Sequence, residues 1–514
     1  MRVPPMPILR RALVATAVLA AAPAAAQGRA LEGFDAYVQG AMRDWQVPGM
    51  AIAIVKDDSV VYARGFGVRT AGGNDRVDEH TTFAIASTTK AFTATALAML
   101  VDEGKVRWDD PVSMHLPGFR LSDAGLTGQI TVRDLLSHRT GLPGSDAIWY
   151  ASPNTSDDIL RRLRFVRPFA APRTRYQYNN VGYMVAGMVA QQASGMPWSE
   201  FVRTRILQPL GMGETLTGLA GLRERPNVAT PHVEVNDTVM PVPYLDFDNI
   251  GPAGSMNSSV SEMARWIRFQ LDSGRVGGRR LVSAASHREM LTPQFLVPAA
   301  SFYPEPTRLS RPNFTAYGLG WFLQDYRGRK LAMHTGSIDG MTAILALVRE
   351  ERLGLVIYAN LDHAEVRHAL MYRIIDEFLG GPRRDWSAEL RPAYTQAAER
   401  ERAAERERRS HRAAGTRPSL PLQAYAGTYV DPDSIQSAVV LRLRNGVLVA
   451  ELGGRNTAPL EHWHHDVFLA RWANRAMGES FLSFTADERG RVPRMRMGAN
   501  ERVRAPDAPA ASAP

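Results

Sequence analysis

The sequence predicts an α+β protein in which one antiparallel sheet is assembled from strands at the two ends of a large domain, with helices packed on it. Three observations predict this. Two β-rich runs, residues 50–55 and 60–64, stand near the front, joined by the turn residues Lys56-Asp57-Asp58-Ser59. Three more, residues 330–337, 342–348 and 353–359, stand far later in the chain. Between the two groups the apolar residues recur mostly with helical rather than alternating spacing.

The elements are justified in order. Residues 31–45 have the stripe of an amphipathic helix, and the first hairpin follows. A helix then starts at or near Ser87, carries Phe92, Ala96, Met99 and Leu100 on one side, and stops at Gly104. Residues 130–138 lead into the loop Thr140-Gly141-Leu142-Pro143-Gly144, and residues 176–183 open an apolar helix over 184–193. The strand over 330–337 runs into a turn, the pair 342–348 and 353–359 closes across residues 349–352, and a helical stretch reaches Leu379.

Beyond Leu379 the composition shifts. Glu399 to Arg402 and Glu405 to Arg408 have the spacing of helical ion pairs, and the two signs balance, as in a solvated helical linker. From Pro418 the pattern is strand-like: residues 425–430, then 439–444 and 447–452 across Asn445-Gly446, then 467–471 and 481–485. The expected organisation is a signal peptide over 1–26, the α+β domain over 27–384, the linker over 385–417, a small all-β, barrel-like domain over 418–504, and a disordered tail over 505–514.

Composition narrows the function classes. The 514 residues are 45% hydrophobic, enough for a sizeable core and more than one domain. The net charge of +9 is spread among interleaved Arg and Glu, with no basic face and no nucleic-acid module. With no cysteine, disulfides, thiol nucleophiles and Cys-based metal sites are excluded. Arg2, Arg10 and Arg11 precede an apolar run over 12–22 and then Ala24-Ala25-Ala26, the layout of a secretory signal cleaved after Ala26. That run is too short to span a membrane comfortably, so no lasting anchor is expected and the mature protein is placed in the periplasm or outside the cell.

The chemistry centres on Ser87 and Lys90. At i and i+3 they share one helical face, so a hydroxyl and an amine meet near a helix start where free N–H groups favour a developing oxyanion. Alone, the spacing S-x-x-K is weak, because Ser commonly caps helices and Lys commonly covers them. Its company raises the signal: Tyr178-Asn179-Asn180 at the mouth of a helix, and His334-Thr335-Gly336 on a strand running into a turn.

With S-x-x-K, Y-x-N and H-T-G in that order, the chain resembles the penicillin-recognising serine hydrolases. The branch is that of class C β-lactamases, serine D,D-peptidases, family VIII-like esterases and D-aminopeptidases. Residues 135–143, Leu-Leu-Ser-His-Arg-Thr-Gly-Leu-Pro, are similar as well, and the resemblance covers about residues 31–379. It implies a β-lactamase/transpeptidase-like fold, acyl-enzyme chemistry on Ser87, and no cofactor. It further implies Tyr178 as general base, eased by the Lys90 cation, with Lys90 itself the rival base. Asn180 would bind the acyl side of the substrate, and the N–H groups of Ser87 and Ser337, following Thr335-Gly336, would form the oxyanion hole.

His334 replaces the lysine of most β-lactamases, and a histidine is only partly charged near neutrality. The expected substrates are therefore small esters, amides or D-configured peptides, with β-lactam turnover weak or incidental. The alternatives are a true class C-like β-lactamase and a catalytically silent penicillin-binding-type sensor or scaffold; a homo-oligomer is among the expected partners. His462-Trp463-His464-His465-Asp466 contains a metal-ligand spacing but has no partner cluster and reads as a polar strand end or loop. His138, among turn residues, reads as a structural hydrogen-bonding group rather than the base of a triad.

Overall fold

The computed structural model describes residues 31–433 and 435–506; the expected signal peptide and residues 507–514 of the expected tail lie outside them. The main sheet has eight antiparallel strands. They are β1 (Gly49–Lys56), β2 (Ser59–Gly67), β3 (Phe295–Leu296), β4 (Thr315–Tyr317), β5 (Phe322–Tyr326), β6 (Arg329–Ile338), β7 (Met341–Val348) and β8 (Leu353–Ala359). Their order is β2-β1-β8-β7-β6-β5-β4-β3, so the N-terminal hairpin pairs with the last strand, as the sequence predicts.

Nearly every residue of β1, β7 and β8 is buried because both faces of the sheet are covered. Side chains alternate between the faces. Ala51, Ala53 and Val55 join one core, together with Ala343, Leu345 and Leu347. Met50, Ile52 and Ile54 join the other, with Ile344, Ala346 and Val348. On the second face pack α1 (Phe34–Asp44) and α5 (Val366–Phe378). On the first pack α2 (Lys90–Asp102), α3 (Asn180–Ser194) and α4 (Val260–Leu271), along with most of the chain between β2 and β4.

A 25-residue helix, α6 (Trp386–Ser410), follows, anchored by Trp386, Ser387, Leu390 and the half-buried Tyr394 and mostly exposed beyond them. Asp385 caps it by accepting the N–H of Ala388 at 3.0 Å. The expected solvated linker is corrected in one respect. Arg402 does not pair with Glu399 but reaches Glu234 at 3.0 Å and Asp237 at 2.6 Å, tying α6 to the hairpin His232–Val235 and Thr238–Pro241.

The C-terminal region is a closed barrel of eight antiparallel strands: β9 (Gly427–Val430), β10 (Val439–Arg444), β11 (Val447–Leu452), β12 (Asn456–His464), β13 (Val467–Arg471), β14 (Glu479–Thr485), β15 (Arg494–Met497) and β16 (Asn500–Arg504). Asn445 and Gly446 both have positive φ, 49° and 79°, as the Asn-Gly hairpin requires. Three strands go beyond the sequence expectation. In β12 the buried residues Ala458, Leu460 and Trp463 are separated by polar ones and by a register shift between His462 and His464, which hides the alternation. In β15 and β16 only Met495 and Arg502 are buried, among exposed or half-buried arginines.

The barrel docks on loops of the α+β domain. Gly453, at φ +62°, comes so close to Ala151 that an added Cβ would lie 2.0 Å from the Ala151 carbonyl oxygen. Arg455 bonds Asp246 at 2.7 Å, and Arg409 bonds Glu479 at 2.6 Å. Among the described residues no helix is long and apolar enough to cross a membrane.

Candidate active site

The residues singled out by sequence meet where α2, α3 and β6 converge. Phe83–Ala84 pairs with Asn257–Ser258 and delivers the chain to a tight 3-10 turn, Ala86–Thr89, before α2 starts at Lys90. The helix thus begins one turn later than expected. Ala86 holds φ at +45°, a strained value for a residue with a Cβ, immediately before Ser87. Ser87 remains partly open to solvent while its neighbours are buried.

Lys90 is fully buried, and its Nζ has three oxygen partners: Ser87 Oγ at 2.9 Å, Asn180 Oδ1 at 2.8 Å and the Ala253 carbonyl at 2.8 Å. It also stands over the rings of Tyr178 and Tyr183, 4.9 and 5.3 Å from their centroids. Burial pushes its amine well below the usual 10.5, with the charge of Asp146 acting the other way. The partner set can also be met by a neutral amine. Two of the three oxygens are carbonyls that can only accept, so a neutral amine gives them both hydrogens and keeps its lone pair for the Ser87 hydroxyl.

Tyr178 is held between rings, 4.3 Å from His138 and 6.3 Å from Phe322, and hydrogen-bonds Ser87. Burial pushes its phenol well above 10, and the Ser87 bond offsets this only in part. Burial thus works against both the Lys90 cation and a Tyr178 phenolate, the two charges that a tyrosine base eased by lysine would need. Lys90 Nζ and the Tyr178 hydroxyl both lie within hydrogen-bond reach of Ser87.

His138 has the structural role expected of it. Its Nδ1 accepts the Asn179 N–H at 3.1 Å, and its carbonyl accepts the N–H of Gln177 at 2.9 Å, fixing the strand-like entrance to α3. Behind it the buried Asp134 accepts from Arg139 at 2.6 Å and Arg173 at 2.7 Å. Asn179 caps α3 by accepting the Gly182 N–H at 2.9 Å, leaving Asn180 to face Lys90.

The third motif lies on β6. Gly336 is required by contact rather than by its backbone angle: a Cβ there would sit 2.3 Å from the Ile85 carbonyl oxygen and 3.0 Å from the Ala86 side chain. Without one, β6 lies directly against the Ser87 turn. Ser337 is exposed beside it. His334 departs from expectation. It is 1% exposed, donates from Nδ1 to the Thr335 carbonyl at 2.6 Å, and accepts at Nε2 from the Tyr317 hydroxyl at 2.9 Å. Burial pushes it down to about 3, so it is neutral rather than partly charged and is covered rather than open to substrate.

Sequence reasoning missed several supporting residues. Arg367, buried in α5, donates to the Gly336 carbonyl, to Ser337 Oγ at 2.9 Å and to the Ala343 carbonyl at 3.3 Å, bracing the end of β6 from behind. Glu365, 3.1 Å away, is its counter-ion; burial alone would raise that carboxyl, but Arg367 and His368 hold it well below its usual range. Tyr303 bonds Thr335, and Tyr150 bonds Asp339, which Asn474 of the barrel also reaches. A charged pair inside the apolar pattern of residues 364–371 was the available signal.

The His462 cluster has other duties. His462 Nε2 meets the His465 carbonyl at 2.8 Å, His464 Nδ1 accepts the Ala413 N–H at 3.2 Å, and Asp466 accepts from Ser419 and Tyr425.

Residues 34–379 match the family described as Beta-lactamase, and residues 411–508 match the domain of unknown function DUF3471. Over 429 residues the chain is 31% identical to the unguisins hydrolase ungD of Aspergillus violaceofuscus, covering 77% of this chain and 74% of that protein. It is 24% identical to protein flp of Staphylococcus aureus, covering 64% and 62%. The octameric penicillin-binding protein homologue from Pyrococcus abyssi has a similar fold, with TM-score 0.61, 23% identity and coverage of 92% and 100%. A structure of SurE gives 0.55, 20%, 93% and 100%. By the family match over residues 34–379 and the β-lactamase/transpeptidase-like fold that carries it, this chain belongs to the beta-lactamase family.

Proposed function

We propose that the protein is an exported serine hydrolase that cleaves small esters and amides through an acyl-enzyme on Ser87. The observation that carries this reading is the 2.9 Å contact between Lys90 Nζ and Ser87 Oγ, with the two other amine partners both acceptors. The neutral amine takes the hydroxyl proton as Oγ attacks the substrate carbonyl carbon. Charge collects on the carbonyl oxygen between the N–H groups of Ser87 and Ser337. As the tetrahedral intermediate collapses, the leaving group receives the proton from Lys90 through the Tyr178 hydroxyl. A water molecule, deprotonated by the same amine, then releases the acid and restores Ser87.

The substrate lean follows from His334. A neutral, buried imidazole offers no cation to a β-lactam carboxylate, so esters, amides and D-configured peptides are the better match. A relative named an unguisins hydrolase and a structural neighbour solved with D-Leu support the same chemistry. Self-association is part of the proposal, supported by the octameric neighbour. Export rests on the residues 1–26 pattern alone.

The test is a fluorophosphonate label on Ser87, lost in Ser87→Ala, together with rates on a chromogenic cephalosporin, a short-chain p-nitrophenyl ester and a D-alanyl amide. Dominant turnover of the cephalosporin would reverse the substrate lean. A wild-type protein inert to every acylating probe would remove the hydrolase.

A further inference from the structure

One charged residue at the site enters the chemistry above only through its charge on Lys90. Asp146 sits on the short 3-10 turn Asp146–Ile148, exposed at the edge of the cleft. Its Oδ1 accepts from Asn180 Nδ2 at 3.1 Å and from Trp149 Nε1 at 2.7 Å. Among the described residues it forms no ion pair, and its Oδ2 accepts no hydrogen bond. A carboxylate can only accept, so it fixes the Asn180 amide with nitrogen outward and oxygen toward Lys90, where Oδ1 takes an amine hydrogen at 2.8 Å.

This arrangement changes what Asn180 offers a substrate. One of its two N–H groups is committed to Asp146, so the wall on which the acyl side would rest presents the Asp146 carboxylate beside the one remaining amide hydrogen. The charges that could offset it are not available there. Lys90 is buried and its amine is occupied, His334 is covered and paired with Tyr317, and Arg367 is spent on the back of β6 and on Glu365. The other end of the same loop is tied to a second carboxylate, since Tyr150 donates to Asp339 at 2.8 Å.

We propose that Asp146 is the specificity-determining residue of the acyl side, selecting acyl donors that carry a positively charged amine close to the scissile carbonyl and disfavouring anionic ones. The proposal rests on Ser87 being the acylated residue. An ammonium group would share Asp146 with Asn180, gaining a charge-assisted hydrogen bond.

The experiment compares kcat/KM for alanine methyl ester and N-acetylalanine methyl ester, in both configurations, at a pH where the free amine is protonated. A neutral p-nitrophenyl ester runs alongside. The wild type is expected to favour the amine-bearing ester over its acetylated twin by about tenfold, the worth of one well-placed charge pair, and the preference should shrink with added salt. Asp146→Asn keeps an acceptor for Asn180 and Trp149 but removes the charge, so the ratio should fall to about one, while Asp146→Glu restores part of it. A ratio unchanged in Asp146→Asn, or a wild type with no preference, overturns the proposal while leaving the hydrolase intact. A wild type inert to the neutral ester as well overturns the hydrolase, and the assignment of Asp146 falls with it.

Discussion

Replacing Gly336 by alanine tests whether β6 truly closes on the nucleophile. The added methyl carbon would start 2.3 Å from the Ile85 carbonyl oxygen, where such atoms in contact normally stand about 3.3–3.6 Å apart. The obstacle is backbone rather than a side chain that can swing away, so β6 and the Ser87 turn must separate by roughly 1 Å. Overpacking of this kind costs about 1–3 kcal/mol of stability. The larger effect is on rate. The Ser337 N–H moves with the strand, and a misplacement of about 1 Å can cost on the order of 100-fold, or about 2.7 kcal/mol in the barrier. Loss of one oxyanion donor falls in the same range. The assay is kcat/KM on a p-nitrophenyl ester, with circular dichroism and a urea midpoint to show that the fold survives. A Gly336→Ala enzyme that keeps its rate within about twofold would refute the placement of β6 against Ser87.

Two further outcomes follow from the same structure. His334→Gln exchanges one neutral, buried side chain for another, so any acid limb of the wild-type pH profile should persist in the variant; an inflection near 6.5 that vanishes with the imidazole would contradict a histidine held at about 3. Asp134→Ala removes the buried carboxylate shared by Arg139 and Arg173 and should cost about 3 kcal/mol in urea unfolding. This is the low end for a broken buried pair, because the Arg173 side chain is 48% exposed and can turn to water. Burial works against the Asp134 carboxylate, but Arg173 and Arg139 hold its folded pKa below the usual 3.8. Its stabilisation is therefore present above that value and is lost as pH falls through the folded one. Wild type and variant should converge in stability on acidification, and parallel pH curves would speak against the pairing.

What was legible in the chain was local. The i, i+3 spacing of Ser87 and Lys90 places hydroxyl and amine together whatever the rest does, and Asn445-Gly446 dictates its turn. The strands 341–348 and 353–359 are apolar throughout because both faces are covered, and they stand out for that reason. The strand β5, by contrast, carries Gln324 inside, bonded to the Tyr372 hydroxyl at 2.7 Å, so its pattern does not read as a buried strand. The charge states at the site were not legible at all. Whether Lys90 and His334 are ionised depends on burial, and burial depends on segments far apart in sequence, such as Tyr317 over His334 and Ala253 beside Lys90. Arg367 and Asp146 escaped notice for the same reason. Nothing near either in sequence says that one backs β6 and the other faces Asn180.

The most direct measurement is the pH dependence of Ser87 acylation, followed as adduct mass on the peptide that contains it. A neutral Lys90 amine as base predicts an adduct on Ser87 whose formation rate rises along one ionisation well below 10.5 and then levels, with the adduct lost in Lys90→Ala. A rate still climbing toward the ordinary lysine or tyrosine range, or an adduct on another residue, would contradict the account.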